Sequence, residues 1–492
     1  MTLTAFEVTS LPPFQSPLWW VRRLTAMVYA RQPYLAFYDR YYRGNHDLPW
    51  LPYQAQEEFR RILKMARANY MGLVVDAKAE RIQVEGFRVG DSETADDNLW
   101  RIFQANNLDS DMDQAFLESF ICGTSYVLVA PSSDPATPLV TVEHPSQCIV
   151  EYVPGTNRRV AAAGLKTWVD SWTGRINATL YLPGSVHKYV SGAVGIVTSA
   201  NVALGLGDLP LAGSQPYALQ QKVPTAMVDW QLRDGDGPAE FVNVLGAVPL
   251  VELPNNPRLM TGGRSELEDL TDIQDRINKT LADRLMTQDF GAFPQKWATG
   301  YPEEDDTGQA VAKINVGRDR MVTTDVEATH FGQFDAAPLD PYSAAKREDV
   351  KDIASRSRTP AQYLLGDMTN LSGDALKASE SGLVAAVKSR RRHFGEGIER
   401  AMRMAAAMTG TRTDVALETI WADPEFRTEA QTADAAVKKL GAGIATRRQA
   451  REDVGYSETQ IKRMEAEDAA QASRIGLGDL GALFGNAPAP AL

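Results

Sequence analysis

GGRSELEDLTDIQDRINKTLADRLMTQDF, residues 262–290, decides how this chain is read. Two glycines open it, and Ser265 and Glu268 stand at the spacing of a capping box. Leu267, Leu270, Ile273, Ile277, Leu281 and Leu285 follow at steps of three or four, which lays one apolar stripe along one helical face. Asp269, Asp272, Asp275, Arg276, Lys279, Asp283 and Arg284 cover the rest, and Gly291 with Pro294 ends the run. The spacing predicts one helix over 265–289. Roughly 25 residues rising about 1.5 Å each make a rod of roughly 38 Å. A narrow stripe on so long a rod predicts packing against long neighbours, including other copies of the chain. No nucleophile, metal cluster or phosphate loop lies near it.

At 492 residues the chain has room for roughly two to four cores or subdomains. With 44% hydrophobic and 23% charged residues it reads as a soluble globular protein. A formal charge of −12 argues against tight, sequence-independent nucleic-acid binding, which needs a basic face. Two cysteines, Cys122 and Cys148, exclude a disulfide framework and fit a reducing cytosol. MTLTAFEVTSLPPF lacks the basic start and apolar core of a signal peptide. The apolar run VLGAVPLV at 244–251 is far too short to span a bilayer, so no membrane segment is expected.

Along the chain, residues 1–16 read as a loose arm. Ser16–Pro17 reads as N-cap and first residue of a helix PLWWVRRLTAMVYARQ, followed by a second short helix PYLAFYDRYYRG. Tyr53 to about Val75 is predicted helical, as are 96–105 and 111–120. From Ser125, short β-branched runs separated by Pro, Gly, Asn and Ser predict an antiparallel meander. Residues 191–220, rich in Gly, Ala and Ser, read as a long mobile loop. AVAKINVG and RMVTTDVEATHF read as strands, and PYSAAKREDVKDIASRS as a helix stopped at Thr359–Pro360. AQYLLGDMTNLSG reads as a loop. Asp374 opens a long helix to about 408, with a bend expected at Gly395 and Gly397. A strand DVALETIWADP and three short helices precede a tail that reads as disordered.

Chemistry is sparse. Gly476, Gly478 and Gly481 match G-x-G-x-x-G, but no strand precedes and no βαβ unit follows, so a flexible tail is the simpler reading. His46, His144, His187, His330 and His393 have no second ligand at metal spacing and read as structural or surface histidines. The sequons at Asn177, Asn278 and Asn370 read as chance matches. Lys388–His393 is the strongest basic run; it fits pairing with acidic faces of neighbouring chains better than a nucleic-acid contact. Glu303–Asp306 reads as a solvated loop. No catalytic, cofactor-binding or metal residues are assigned, and no cofactor is expected.

The order of elements resembles the portal proteins of tailed double-stranded DNA phages, siphophage type, of actinobacterial viruses. The likeness is carried by FYDRYYRGNHDLPWLP (37–52), AKAERIQVEGFRVG (77–90), LGAVPLVELPNNPRLMTGGRSELEDLTDIQDRINKT (245–280) and TPAQYLLGDMTNLSGDALKASESGLV (359–384). It extends over roughly 17–475. The resemblance implies an α+β portal fold: a flexible arm (1–16), a mixed α/β wing (17–260), a first stem helix (261–289) and a β-containing clip (290–337). A second stem helix (338–358), a tunnel loop (359–373), a long bent helix returning to the wing (374–427), a helical crown (428–475) and a disordered tail (476–492) complete it.

By the same resemblance, Gln362, Asp367, Met368, Thr369, Asn370, Leu371 and Ser372 would face the DNA channel. The leucine–isoleucine stripe from Leu267 to Leu285 would pack between subunits. The implied role is a homododecameric ring at one capsid vertex, assembled in the host bacterial cytoplasm. Implied partners are the major capsid protein and scaffold, the terminase large subunit, a head–tail connector or adaptor, and double-stranded DNA in transit, with no membrane. Twelve copies at −12 give −144 for the ring, which suits a conduit, because each phosphate neutralised by Lys or Arg adds affinity and hence drag. The inferred tunnel loop holds no Lys or Arg. A different capsid scaffold or adaptor, an enzyme whose site assembles only in three dimensions, and a DNA-binding protein proper stand as alternatives.

Overall fold

The computed structural model describes residues 13–49, 60–90, 95–191, 230–235, 237–259, 261–292, 296–300, 329–335, 337–366, 373–411, 416–425, 429–456 and 460–471. The fold is α+β. The chain divides into two compact units, one of Met1–Asp39, Val75–Glu266 and Lys377–Leu492, the other of Arg40–Val74 and Leu267–Leu376.

In the larger unit, helix α1 (Pro17–Tyr42) begins at Ser16, whose Oγ accepts the Trp19 N–H at 3.3 Å. The sequence predicts two helices here; the structure has one, running through Pro33. The proline removes one helical donor, but the buried face continues across it: Val21, Leu24 and Val28 before, Leu35 and Tyr38 after. Helices α4 (Asp97–Ala105) and α5 (Leu108–Cys122) follow, the first capped by Asp96, which accepts the Asn98 and Leu99 N–H groups.

The expected antiparallel meander is present but divides between two sheets. Strand β2 (Thr124–Ala130) pairs with β3 (Leu139–Glu143) and with the distant β10 (Leu250–Pro254). The second sheet has six strands: β4 (Cys148–Tyr152), β5 (Ala161–Val169), β6 (Ile176–Tyr181), β7 (Ser185–Ser191), β8 (Trp230–Leu232) and β9 (Glu240–Val242). One of its faces packs against Val21, Leu24 and Val28 through Ile149, Leu165, Ile176, Leu180 and Trp230. The expected loop at 191–220 lies outside the described residues beyond Ser191. A separate ribbon joins β1 (Val84–Val89) to β13 (Leu417–Trp421).

Helix α9 (Gly373–Met408) lies in this unit from Lys377 on; of the apolar positions whose spacing marks a buried side, Leu383, Val387, Phe394, Ile398 and Met402 are buried and Leu376 is half-buried. Gly397 serves close packing: a Cβ there would meet the Leu253 side chain and come 3.0 Å from the Glu252 carbonyl. The C-terminal helices α10 (Glu429–Gly441), α11 (Arg447–Val454) and α12 (460–471) match expectation. The 476–492 tail lies outside the described residues.

In the smaller unit, which holds this segment up to Val74, the predicted helix over 53–75 is described from Arg60 on and is interrupted. Helix α2 (Arg60–Met65) and helix α3 (Met71–Ala79) are separated by the non-helical segment 67–70. Helix α6 (Thr271–Ala292) packs against helix α7 (Asp340–Ser357), which ends at Arg358 in a left-handed conformation. Residues 361–365, expected in a loop, form a short helix α8 (Ala361–Leu365) closed by Gly366. The ribbon β11 (Lys296–Thr299) with β12 (His330–Gln333) is all that is described of the expected clip strands; AVAKINVG and the acidic run 303–306 lie outside the described residues.

Candidate functional site

The opening stretch is not helical from Ser265. Residues 266–270 form turns and α6 starts at Thr271, later than the predicted 265. Tertiary contacts hold the segment before it. Gly263 lies so close to Gly123 that a Cβ would run into the Gly123 carbonyl and come 2.8 Å from the Asn255 N. Ser265 Oγ donates to the Phe120 carbonyl. Glu266 is drawn into a buried cluster, with Lys78 Nζ at 2.6 Å and Arg390 at 2.8 Å from its carboxylate. Burial alone would push the Glu266 carboxyl up, but the charges of Lys78 and Arg390 outweigh it and hold it at about 2.

The stripe on α6 turns out to have a polar seam. Gln274 and Asn278 are as buried as the leucines, at 0% and 1% exposure. They clasp the break between α2 and α3. Gln274 Oε1 accepts the Tyr70 N–H at 3.1 Å, and its Nε2 donates to the Ala68 carbonyl at 2.7 Å. Asn278 Oδ1 accepts the Ala68 N–H at 3.1 Å, and its Nδ2 donates to His46 Nδ1 at 3.0 Å. His46 Nε2 then donates to the Tyr41 carbonyl at 3.1 Å, which uses both ring nitrogens in the neutral form. Burial holds the His46 pKa below its ordinary value. One turn away, the Tyr41 hydroxyl donates to Asp275 at 2.7 Å.

Leu267, Leu270, Ile273 and Ile277 are at most 4% exposed within the single chain, so most of the stripe is already covered by the chain's own residues. Leu281 and Leu285 are half-buried against Leu63, Ala66 and Ala282. The solvent side of α6 is charged. Arg276 reaches across to α7, 2.7 Å from Asp349 and 2.9 Å from Asp352. A cleft of about 260 Å³ in this unit is lined by Tyr70, Arg284, Lys346, Arg347, Leu364 and Leu365, with Lys346 over the Tyr70 ring. No local pattern announces this cleft, since its residues come from four separate segments.

Of the expected channel residues, Gln362 is described and is buried on α8. Asp367, Met368, Thr369, Asn370, Leu371 and Ser372 lie outside the described residues. The basic run 388–393 is divided: Arg391 is buried, Lys388 and Arg392 are exposed, and three of its members pair within the chain. Lys388 pairs with Glu425 at 3.2 Å and Arg390 with Glu266, while buried Arg391 donates to the carbonyls of Arg81 and Ala422 and lies over Trp421. The sequons at Asn177 and Asn278 sit on buried side chains. Both cysteines are free and buried. Among the described residues, no helix is long and apolar enough to cross a membrane.

Two long helices pack together in this unit, with buried amides satisfied by backbone and charges paired across their seam. Residues 26–474 match the family model of SPP1 Gp6-like phage portal proteins. The portal protein of Mycobacterium phage D29 is 31% identical over 441 residues, covering 85% of this chain and 82% of that protein. That of Mycobacterium phage L5 is 31% identical over 443 residues, with the same coverage. Among solved structures, the neck of an empty gene transfer agent particle overlaps 83% of this chain and 95% of its own at 14% identity and a TM-score of 0.40. The neck of the native particle, computed with C12 symmetry, overlaps 84% and 96% at 14% identity and a TM-score of 0.38. Both are distant overlaps. The chain belongs to the SPP1 Gp6-like phage portal family, a structural rather than enzymatic one.

Proposed function

We propose that the chain is one subunit of the portal ring at a capsid vertex, the virion component through which DNA enters on packaging and leaves on ejection. The observation that carries the reading is the family match across 26–474. Identical subunits joined head to tail close into a ring when the rotation per subunit divides the circle. In that ring α6 and α7 act as staves, the segment after Gly366 faces the DNA, and the region 290–337 docks the terminase and then the head–tail connector. Packaging force comes from the terminase, and the portal contributes a passage.

The burial of Leu267, Leu270, Ile273 and Ile277 inside one chain leaves the ring's lateral contacts to the charged side of the helices and to Leu281 and Leu285. Native mass and electron microscopy of purified protein test the reading. Twelve chains of 54.0 kDa make a ring of about 648 kDa. A closed ring with an axial channel supports it; a monodisperse monomer or dimer under all conditions overturns it.

A further inference from the structure

Three potential ligands that lie apart in sequence converge in the larger unit. Glu118 and Cys122 are one helical turn apart at the end of α5, and His144 follows the last residue of β3. Glu118 Oε2 lies 3.0 Å from His144 Nε2 and 3.8 Å from Cys122 Sγ, and Sγ lies 4.0 Å from Nε2. We propose that Glu118, Cys122 and His144 form a binding site for a zinc-type divalent cation. A triangle with sides of 3.0, 3.8 and 4.0 Å has a point about 2.1 Å from every corner, within the roughly 2.0–2.3 Å of zinc bonds to carboxylate, imidazole and thiolate.

The alternative use of a cysteine, a histidine and a carboxylate is a nucleophile relay. There the carboxylate holds the ring nitrogen that faces away from the thiol. Here Glu118 meets Nε2, the nitrogen that also faces Cys122, so the three groups point at one spot and do not line up in series. The far nitrogen has its own partner, since Nδ1 lies 2.8 Å from Ser146 Oγ, the kind of outer contact that orients a metal-bound imidazole. Without a cation Nδ1 accepts the Ser146 N–H at 3.0 Å, and Nε2–H and the thiol both point to Glu118. Binding releases the Cys122 thiol proton to solvent and shifts the His144 proton through solvent from Nε2 to Nδ1; Nδ1–H then donates a hydrogen bond to Ser146 Oγ, and the Ser146 N–H gives up Nδ1 as its acceptor. Cys122 is buried, whereas Glu118 and His144 keep 32% and 21% side-chain exposure, so water can supply a fourth ligand. The cation would pin the end of α5 to the turn between β3 and β4.

The test uses full-length protein stripped with a chelator and titrated with Co²⁺ and, separately, Zn²⁺. The expected result is one equivalent of Co²⁺ per chain with a thiolate-to-cobalt charge-transfer absorption, displaced by Zn²⁺, and a zinc-dependent rise in Tm. Cys122→Ser loses the thiolate absorption, whereas Cys148→Ser, which removes the other buried thiol, keeps it. Ser146→Ala weakens binding about 10–100-fold. Should Cys122→Ser fail to fold, the partly exposed Glu118→Gln, checked by circular dichroism, shows weakened uptake instead. Absence of a thiolate band in wild-type protein, or a band that survives Cys122→Ser or binding untouched by Glu118→Gln, overturns the site. Metal uptake is read on the isolated chain, so its outcome is independent of ring formation.

Discussion

Asn278 Nδ2 donates to His46 Nδ1 across 3.0 Å, and through this contact helix α6 fixes a histidine 232 residues earlier in the chain. The same amide's oxygen takes the Ala68 N–H. Asn278→Ala would leave that N–H and a ring nitrogen without partners in a buried place, at roughly 1–3 kcal/mol for each orphaned group. Denaturant unfolding of this variant should show a loss of at least that order. A change within about 0.5 kcal/mol, typical of an exposed site, would mean that the clasp is not held.

His46 also carries a pH prediction. Its folded pKa is depressed by burial, so the folded state favours the neutral ring. The corresponding stability is full above the unfolded value of about 6.5 and is lost as the pH falls through the lower folded value. Denaturation midpoints should therefore decline below about pH 6.5. His46→Gln should remove that part of the slope; an unchanged slope would assign it elsewhere.

Glu266 works in a lower window. Its folded pKa of about 2 lies below its ordinary value, so its contribution is present above about pH 4.5 and lost as pH falls toward 2. At neutral pH, Glu266→Gln removes the carboxylate that faces both Lys78, whose side chain is 1% exposed, and Arg390, and should cost about 3–5 kcal/mol. Thermal or denaturant unfolding reads this directly. A near-neutral outcome would show that Lys78 finds another partner or sheds its charge.

Gly263→Ala should be among the most damaging small substitutions. The added carbon meets the Gly123 carbonyl and the Asn255 backbone, neither of which can rotate away. Overpacking of this kind costs about 1–3 kcal/mol or more. Full wild-type stability in the alanine variant would place the two segments farther apart than described.

Ile277→Ala separates two readings of the stripe on α6. With Ile277 fully buried in its own chain, truncation should cost the isolated subunit roughly 2–5 kcal/mol. A subunit of unchanged stability that no longer forms rings would instead restore the stripe to the interface. Arg276→Ala, with a side chain 53% exposed, should cost only about 0.2–1 kcal/mol per pair lost.

Much of the fold was legible because local patterns report local structure. The helix stopped at Thr359–Pro360, the long helix opening near Asp374, the short β-branched runs from Ser125 and the Ser16–Pro17 start all survive in the structure. The family resemblance, resting on stretches such as 245–280 and 359–384, was also present in the sequence alone. The tertiary structure decided the rest. It delayed the helix start from Ser265 to Thr271, where Glu266 before it is held in a buried cluster with Lys78 and Arg390. It kept α1 whole through Pro33, because burial on both sides offsets one missing donor. It drew Arg390 and Arg391 out of a basic surface run into internal pairing, while Lys388 stays at the surface beside Glu425. It brought Glu118, Cys122 and His144 together, which no short-range spacing could announce. Helix and strand periods are set by neighbours a few residues away, whereas charge pairing and ligand convergence depend on which distant segments the core brings into contact.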